Sequence, residues 1–545
     1  MNVKKVIPRV LLLLILALNI LFCKTASPFP GEPLISFPAP GECPSGLAWG
    51  QGFLWLSDWK QARIYKIDPN SGEVLRSLSS PGPSPQGLAW GRGRLFVADS
   101  QTERIYLLNP RTGVVEKSYS APGSSPRGLA WGKHCLWVVD DRQGLICKLN
   151  PQDGTLTGYF KAPAGKSRGL CFDGKYLWVS DRGKDEIYAV SVRDGSVVLS
   201  LFAPGPFGWG LAWDGSHLWN VDFQTGRIYK LRATDDEKYS VTDWREASIE
   251  LVHYIRNSGP GTLKDIKIAL AVPPEKLENQ RLLGPVDFIP QPQRFALDRW
   301  AQRVAIYRFS ELPPSETVTA GYKVRVRLGN LHYYIFPEKV GTLAQVPREI
   351  REKYLADGSR YLIHETSIQE AAREAVGGET NPYWMARRIH SFVLENVRYE
   401  GGGGWDTAPV VLARGTGSCS ESTFLFIALC RASGLPARFE AGSLIRGDLA
   451  SVDRDNHRWA EVYLPNYGWV PFDPSVGSGR SPADVTQAVG NTKVIGGPHP
   501  GLFVTTHGGG DSEYLGWNYN SYATYKFSGT CKVEENRYFI WRPGE

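Results

Sequence analysis

Three things are missing from this 545-residue chain, and each absence narrows what it can be. No cluster of basic residues interleaved with aromatics occurs, and a formal charge of +7 is modest at this length, so nucleic acid is not an expected partner. No apolar run reaches the ~20 residues of a full membrane span. The run from Val10 to Phe22, behind Lys4, Lys5 and Arg9, instead has the charge and length of a secretory signal. Residues 1–26 are therefore read as a signal peptide or N-terminal anchor. Cys23 follows the bulky Phe22, where lipidation sites prefer small residues, so cleavage, lipidation and a retained anchor all stay open. In each case the chain is exported and works outside the cytoplasm, as a secreted, periplasmic or membrane-anchored protein. The third absence is a convergent His/Glu set in the repeats described next, which argues against a metal-dependent lyase there.

What is present is ordinary globular composition, 42% apolar and 21% charged, at a length that implies several domains. Residues 33–232 repeat. Gly46, Gly87, Gly128, Gly169 and Gly210 each begin Gly-Leu-Ala-Trp or its variant Gly-Leu-Cys-Phe, 41 residues apart. Asp58, Asp99, Asp140, Asp181 and Asp222 keep the interval, as do Ile64, Ile105, Ile146, Ile187 and Ile228. A period near 40 with short strands is a propeller signature, here with five blades. The fifth repeat ends at Arg227–Leu231, and Leu34–Phe37 has the phase of its missing fourth strand. One aspartate in every blade is what structure requires, so each is expected to accept backbone hydrogen bonds at its own turn. Cys135 and Cys147 flank the Asp140–Gly144 turn, and a disulfide between them is compatible with an oxidising compartment. The repeats resemble the gluconolactonase and streptogramin-lyase type of propeller, at repeat level; without a convergent His/Glu set the ring reads as a binding or docking platform for a protein or carbohydrate ligand.

Residues 240–340 alternate as strands. Ser248–Ile255 leads to a turn at Asn257–Gly261 and a return over Leu263–Leu270, followed by Arg303–Phe309 and Val318–Val326. This reads as an immunoglobulin-like β-sandwich. Helices begin after Pro347, in a region spanning 345–545. Ser367–Glu370 is a capping-box pattern ended by Gly377-Gly378. Asn381-Pro382 caps a second helix with Met385, Ile389, Phe392 and Val393 in an apolar stripe, a core face. Gly401–Gly404 is a flexible loop beside the predicted cleft. Segments near Leu502–Thr506 and Tyr522–Phe527 are expected to complete the core sheet, and His499 and His507 to lie in glycine-rich loops.

The most informative stretch is Gly415-Thr-Gly-Ser-Cys419 and the apolar run to Gly434 and Pro436. It reads as a tight turn entering a helix, with Ser418 or Ser420 as cap and a cysteine in the first turn. A thiol there feels the positive helix end, which favours thiolate, and the unpaired amides can hold an oxyanion. Cys430, about 16 Å further along that helix, reads as core. A base is supplied by His457 in the alternating strand Asn456–Leu464. After the turn Pro465–Gly468 comes a second strand with Asp473. An odd-length loop near Asn466 would put His457 and Asp473 on one face, and an even-length loop would need a bulge to do so. A thiol, an imidazole and an orienting carboxylate make a nucleophilic acyl-transfer set.

Gly417-Ser-Cys419-Ser-Glu, Leu429-Cys-Arg431 through Arg438, His457-x-Trp459-x-Glu461 and Gly468-Trp469-Val-x-x-Asp473-Pro together resemble the transglutaminase-like superfamily. The resemblance implies a papain-like fold with catalytic Cys419, His457 and Asp473. Ser475 stands where the family usually has threonine. Ser418, Trp405 and Trp459 are weaker candidates for the oxyanion or substrate cleft. Three readings follow. The first is a cysteine peptidase or amidase working through a thioester on a protein or peptide substrate. The second is a protein-crosslinking transglutaminase, and the third an inactive binding protein built on the propeller. No cofactor or metal is required by this chemistry, and membrane attachment would run through the N-terminal segment.

Overall fold

The computed structural model describes residues 29–233, 237–402, 404–445, 449–476 and 501–544. The N-terminal segment 1–26 with Cys23, Gly403 of the glycine loop, and His499 lie outside the described residues. Among the described residues no helix is long and apolar enough to cross a membrane.

The repeats fold into four-stranded antiparallel sheets. Pro44–Gly50, Phe53–Asp58, Arg63–Ile67 and Val74–Ser79 form one, and the next three repeats do likewise. The fifth sheet takes Gly208–Trp213, Leu218–Asp222 and Arg227–Leu231, then adds Pro33–Pro38 from the other end of the ring, with Phe37 opposite Ile228. The repeated glycine explains how the sheets pack. A Cβ on Gly87 would stand 1.9 Å from the Arg127 carbonyl oxygen, one on Gly169 1.9 Å from that of Trp209, and one on Gly210 2.4 Å from that of Ser45. First strands of successive sheets thus touch backbone to backbone, and the last touches the first, closing a ring.

The repeated aspartates hold the turns. In each, one carboxylate oxygen accepts an amide from the loop before the first strand, as Cys43 N–H donates to Asp58 at 2.9 Å and Lys166 N–H to Asp181 at 2.8 Å. The other oxygen accepts amides of the turn that follows, such as Gln61 on Asp58 at 2.8 Å and Lys184 on Asp181 at 2.9 Å. Cys135 and Cys147, between which the sequence leaves a disulfide open, are both free. Val138 is the residue opposite Cys147. Cys135 is three residues from Val138 and therefore faces the other side of the sheet.

The middle region differs in topology from the expectation. Ser248–Ile255 and Leu263–Leu270 do not pair with each other; both belong to one long strand, Tyr239–Ala271. Thr317–Tyr333 and then Arg303–Leu312 run along one edge, and Ser521–Pro543 runs along the other. Tyr522–Phe527 therefore joins this sheet rather than the one beside the cysteine. Ile249, Leu251 and Ile255 share one core with Leu263, Ile266 and Ile268, so the ribbon folds over on itself between them. At the bend the Asn257 side chain donates to the Gly261 and Leu312 carbonyls at 2.8 and 2.9 Å. Those bonds stand in for ladder bonds where one edge passes from Thr317–Tyr333 to Arg303–Leu312, while Ser521–Pro543 stays the neighbour on the other.

The remaining region is a sheet in the order Gly468–Phe472, His457–Leu464, Ala437–Leu444, Leu502–Gly508, packed against helices. Cys419–Ala432 is the central helix, buried from Ser420 to Arg431. Thr366–Val376, Pro382–Asn396 and Ala408–Arg414 pack around it. The first of these is capped at Glu365 without a side-chain bond, so the Ser367 capping box does not form. Asn381 does cap its helix, accepting from Tyr383 and Trp384. The ring docks through its fourth sheet. Val197–Phe202 is buried there, whereas the equivalent Val74–Ser79 and Val115–Ser120 are largely exposed. Tyr383 Oη donates to the Val198 carbonyl at 2.7 Å, and Arg387 donates to that of Val197.

Candidate active site

The cysteine is positioned by a cap. Ser418 precedes the helix with extended backbone, its Oγ accepts the Glu421 amide at 3.4 Å, and the Glu421 carboxylate accepts the Ser418 amide at 2.8 Å. Arg414, 2.9 Å from Glu421, and the Asp406 amide hold that carboxylate in turn. Cys419 is then the first helical residue. Its own amide and that of Ser420 are among the first four of the helix, which have no acceptor inside it. Unpaired amides at a helix start favour a negative charge beside them.

The hairpin supplies the rest. Ala460 pairs with Phe472 and Leu464 with Gly468, leaving a three-residue loop at Pro465–Tyr467. The odd loop puts His457 and Asp473 on one side, and His457 Nε2 lies 2.7 Å from Asp473 Oδ2. The second Asp473 oxygen accepts the Ser475 amide at 3.0 Å and its hydroxyl at 2.7 Å. The serine that replaces the usual threonine thus still supplies the hydroxyl. The backbone carbonyl of Asp473 meets His390 Nε2 at 2.8 Å, anchoring this end of the strand to the Pro382–Asn396 helix. Nε2 is committed to Asp473, and the hydrogen bonding and charge of the same imidazole also act on Cys419.

The charges follow from these contacts. Burial pushes the Asp473 carboxyl up, but the charge and hydrogen bond of His457 and the Ser475 donors outweigh it and hold the group at about 2. Burial pushes His457 down, but Asp473 and Cys419 outweigh it and raise the imidazole to about 10. Burial likewise pushes the Cys419 thiol up, yet the His457 hydrogen bond and charge and the Arg458 amide bring it below its ordinary value. Both shifts run in the direction that favours a thiolate beside an imidazolium.

The weaker candidates separate. The Ser418 amide and hydroxyl are engaged in the cap. The Trp459 indole N–H donates to Glu440 at 3.0 Å, and its ring stacks on His457 at 5.8 Å and 19°. Trp459 therefore braces the imidazole from behind. Trp405 packs against Phe424 and Tyr519. Sequence reasoning missed Arg458 and Tyr519. Arg458 is fully buried with its guanidinium against the Phe439 and Tyr519 rings at 4.4 and 4.5 Å. Burial, then the Cys419 charge, raises the Tyr519 hydroxyl to about 12, and Ser420 bonds it. Arg458 was adjacent to the histidine, but Tyr519 lies a hundred residues from the cysteine with no motif around it.

A second cluster lies behind Trp459. His507, in a strand and not a loop, meets Glu440 at 3.1 Å, and Arg438 pairs with Glu461 at 2.6 Å. Glu440, Glu461 and His507 each bring one ligand atom within 4.8 Å of the others, a spacing that could hold a cation. Burial raises both glutamates to about 7 and lowers His507 to about 4.

Residues 369–474 match the family model of the transglutaminase-like superfamily. An uncharacterized protein of Haemophilus influenzae is 30% identical over 129 residues, covering 19% of this chain and 35% of that relative. The uncharacterized protein YebA of Bacillus subtilis is 35% identical over 83 residues, covering 13% of this chain and 11% of its own length. The chain thus spans about a third and a tenth of the lengths of these two relatives. Among solved structures, a candidate cysteine protease from Cytophaga hutchinsonii aligns over 56% of this chain and 100% of its own, at 16% identity and a TM-score of 0.38. Virginiamycin B lyase from Staphylococcus aureus aligns over 36% of this chain and 69% of its own, at 21% identity and a TM-score of 0.27.

Proposed function

Starting from a transglutaminase-like domain at residues 369–474, we propose that this protein is a thiol enzyme that cleaves amide bonds of proteins or peptides. The observation that supports this most is the His457–Asp473 bond of 2.7 Å, with the same imidazole acting by hydrogen bonding and charge on a cysteine at a helix start. In this reading the Cys419 thiolate attacks the amide carbonyl carbon. The carbonyl electron pair moves to oxygen, which the Cys419 and Ser420 amides hold. Collapse breaks the C–N bond, and the leaving amine takes the proton from His457. A thioester remains. His457 then removes a proton from water, which attacks the thioester and regenerates the thiol.

The same residues serve a lysine amine in place of water, so cross-linking is the alternative within this chemistry. The rest of the proposal is organisational. The ring is a five-bladed propeller serving as a binding platform, the folded ribbon is an immunoglobulin-like spacer, and the chain is exported, secreted or tethered by its N-terminal segment. The test is to incubate the protein with glutamine- and isopeptide-containing peptides, with and without a primary amine, and follow the products by mass spectrometry. Cleaved or deamidated product that disappears in Cys419→Ala supports hydrolysis. Amine-coupled product favours transfer. No product from a folded wild-type protein on either peptide class contradicts both.

A further inference from the structure

The ring keeps its repeat so strictly that the places where it breaks stand out. Immediately before the repeated glycine, the five sheets carry Ser45, Gln86, Arg127, Arg168 and Trp209; immediately after the repeated aspartate, Asp141 and Arg182 replace apolar or neutral residues. The first set sits at the start of the strands nearest the ring axis, since a Cβ on Gly87, Gly128, Gly169 or Gly210 would meet the carbonyl of the next member, as Gly128 does Arg168 at 2.4 Å, and one on Gly46 would meet the Gly87 backbone. Three guanidinium groups therefore gather at one mouth of the ring. Asp141 pairs with Arg127 at 3.3 Å and with Arg168. Arg182 makes no ion pair among the described residues, and it and Arg168 lie over the Trp209 ring at 5.9 and 5.2 Å.

Arg168 is the telling residue. It is 6% exposed, yet its Nε has no hydrogen-bond partner among the described residues, and neither does the buried Oε1 of Gln86. Burial, the Arg127 charge and that of Arg182 lower this arginine to about 10, against the opposing pull of Asp141. A buried guanidinium left with an open donor, crowded by two others and answered by one carboxylate, is costly unless something anionic completes it. Nothing in the ring's own architecture needs these charges, because the first two sheets close with serine and glutamine at the same position.

We propose that this mouth of the ring is a binding site for an oxyanion, the carboxylate or phosphate group of a ligand, held by Arg127, Arg168 and Arg182 over Trp209. The planar guanidinium fork matches such groups in two-point geometry. Asp141 is the internal competitor that neutralises part of the charge while the site is free. The site is separate from Cys419 and does not depend on the chemistry proposed there.

The test is isothermal titration of the full chain with inorganic phosphate and with malonate, sodium chloride serving as the control at equal ionic strength. The expected result is saturable binding of at least one, with a dissociation constant on the order of 1 mM for so small a probe. Saturation by phosphate alone assigns a phosphate-bearing ligand, and by malonate alone a carboxylate. Arg182→Ala, at the half-exposed rim, should weaken binding about tenfold, and Arg168→Gln should abolish it. Asp141→Asn should tighten it several-fold by removing the competitor, which a purely structural aspartate would not do. Binding no greater than that of chloride, or equal binding in Arg182→Ala and wild type, would overturn the proposal.

Discussion

Asp58 and Asp473 are both buried carboxylates, 0% and 7% exposed, and they do opposite things. Asp58 accepts four backbone amides and ties a loop to a turn. Asp473 accepts one backbone amide and one hydroxyl on one oxygen and gives the other to an imidazole. Burial alone does not mark a functional acid. What matters is whether the partner is fixed, as a backbone amide is, or can itself gain and lose a proton, as His457 can. The four other ring aspartates repeat the first arrangement; of these six, only Asp473 shares a hydrogen bond with a titratable side chain among the described residues.

The largest break in that comparison is chemical. Cys419→Ala and His457→Ala should each remove turnover by a factor on the order of 10⁴ or more, whereas Asp99→Asn should leave it unchanged. Comparing rates on one peptide substrate checks this, and a comparable loss in Asp99→Asn would contradict it. Asp473→Asn comes next, with an expected loss of roughly 10²–10⁴ because the amide no longer holds the imidazolium. Ser475→Ala should cost far less, about tenfold at most, since it removes one of two donors to Asp473.

In stability the ranking reverses. Asp99→Asn weakens the acceptor for the Ser84, Gln101 and Thr102 amides. The expected cost is about 1–3 kcal/mol, read by denaturant unfolding. The smallest effect is on pH dependence. His457 is raised in the folded protein, so its contribution is fully present below its ordinary value of 6.5 and is lost as pH rises through about 10. Asp473 is lowered, so its contribution is present above its ordinary value of 3.8 and is lost as pH falls through about 2. The stability gap between wild type and His457→Ala should therefore narrow from neutral pH towards pH 10. A gap that widened over that range would contradict the assignment.

How much of this could be read from residues alone depended on the range of the interaction. The ring was legible because each repeat states the same local contacts, and Gly-Leu-Ala-Trp encodes a close backbone approach at every copy. The cysteine cap and the odd hairpin loop were legible for the same reason, being set within a few residues. Long-range choices were not. Nothing near Tyr522 announces that it will pair with Ala269 instead of completing the sheet that carries His457, and the Asn257 bend looks like an ordinary turn. The buried strand Val197–Phe202 did carry a signal, since Val-Val-Leu-Ser-Leu-Phe lacks the charges of Val-Glu-Lys-Ser-Tyr-Ser at the equivalent place. It marks the sheet that docks. Tyr519 and Arg168 acquire meaning only once distant segments meet.

The most direct test of the account is alkylation of Cys419 by iodoacetamide across a pH series, quantified by mass spectrometry in wild type and His457→Ala. The account predicts fast labelling well below the free-thiol value of about 8.5, lost in His457→Ala, with the fully buried Cys430 unreactive in both. A Cys419 that labels no faster than Cys430, or at the same rate without His457, would contradict it.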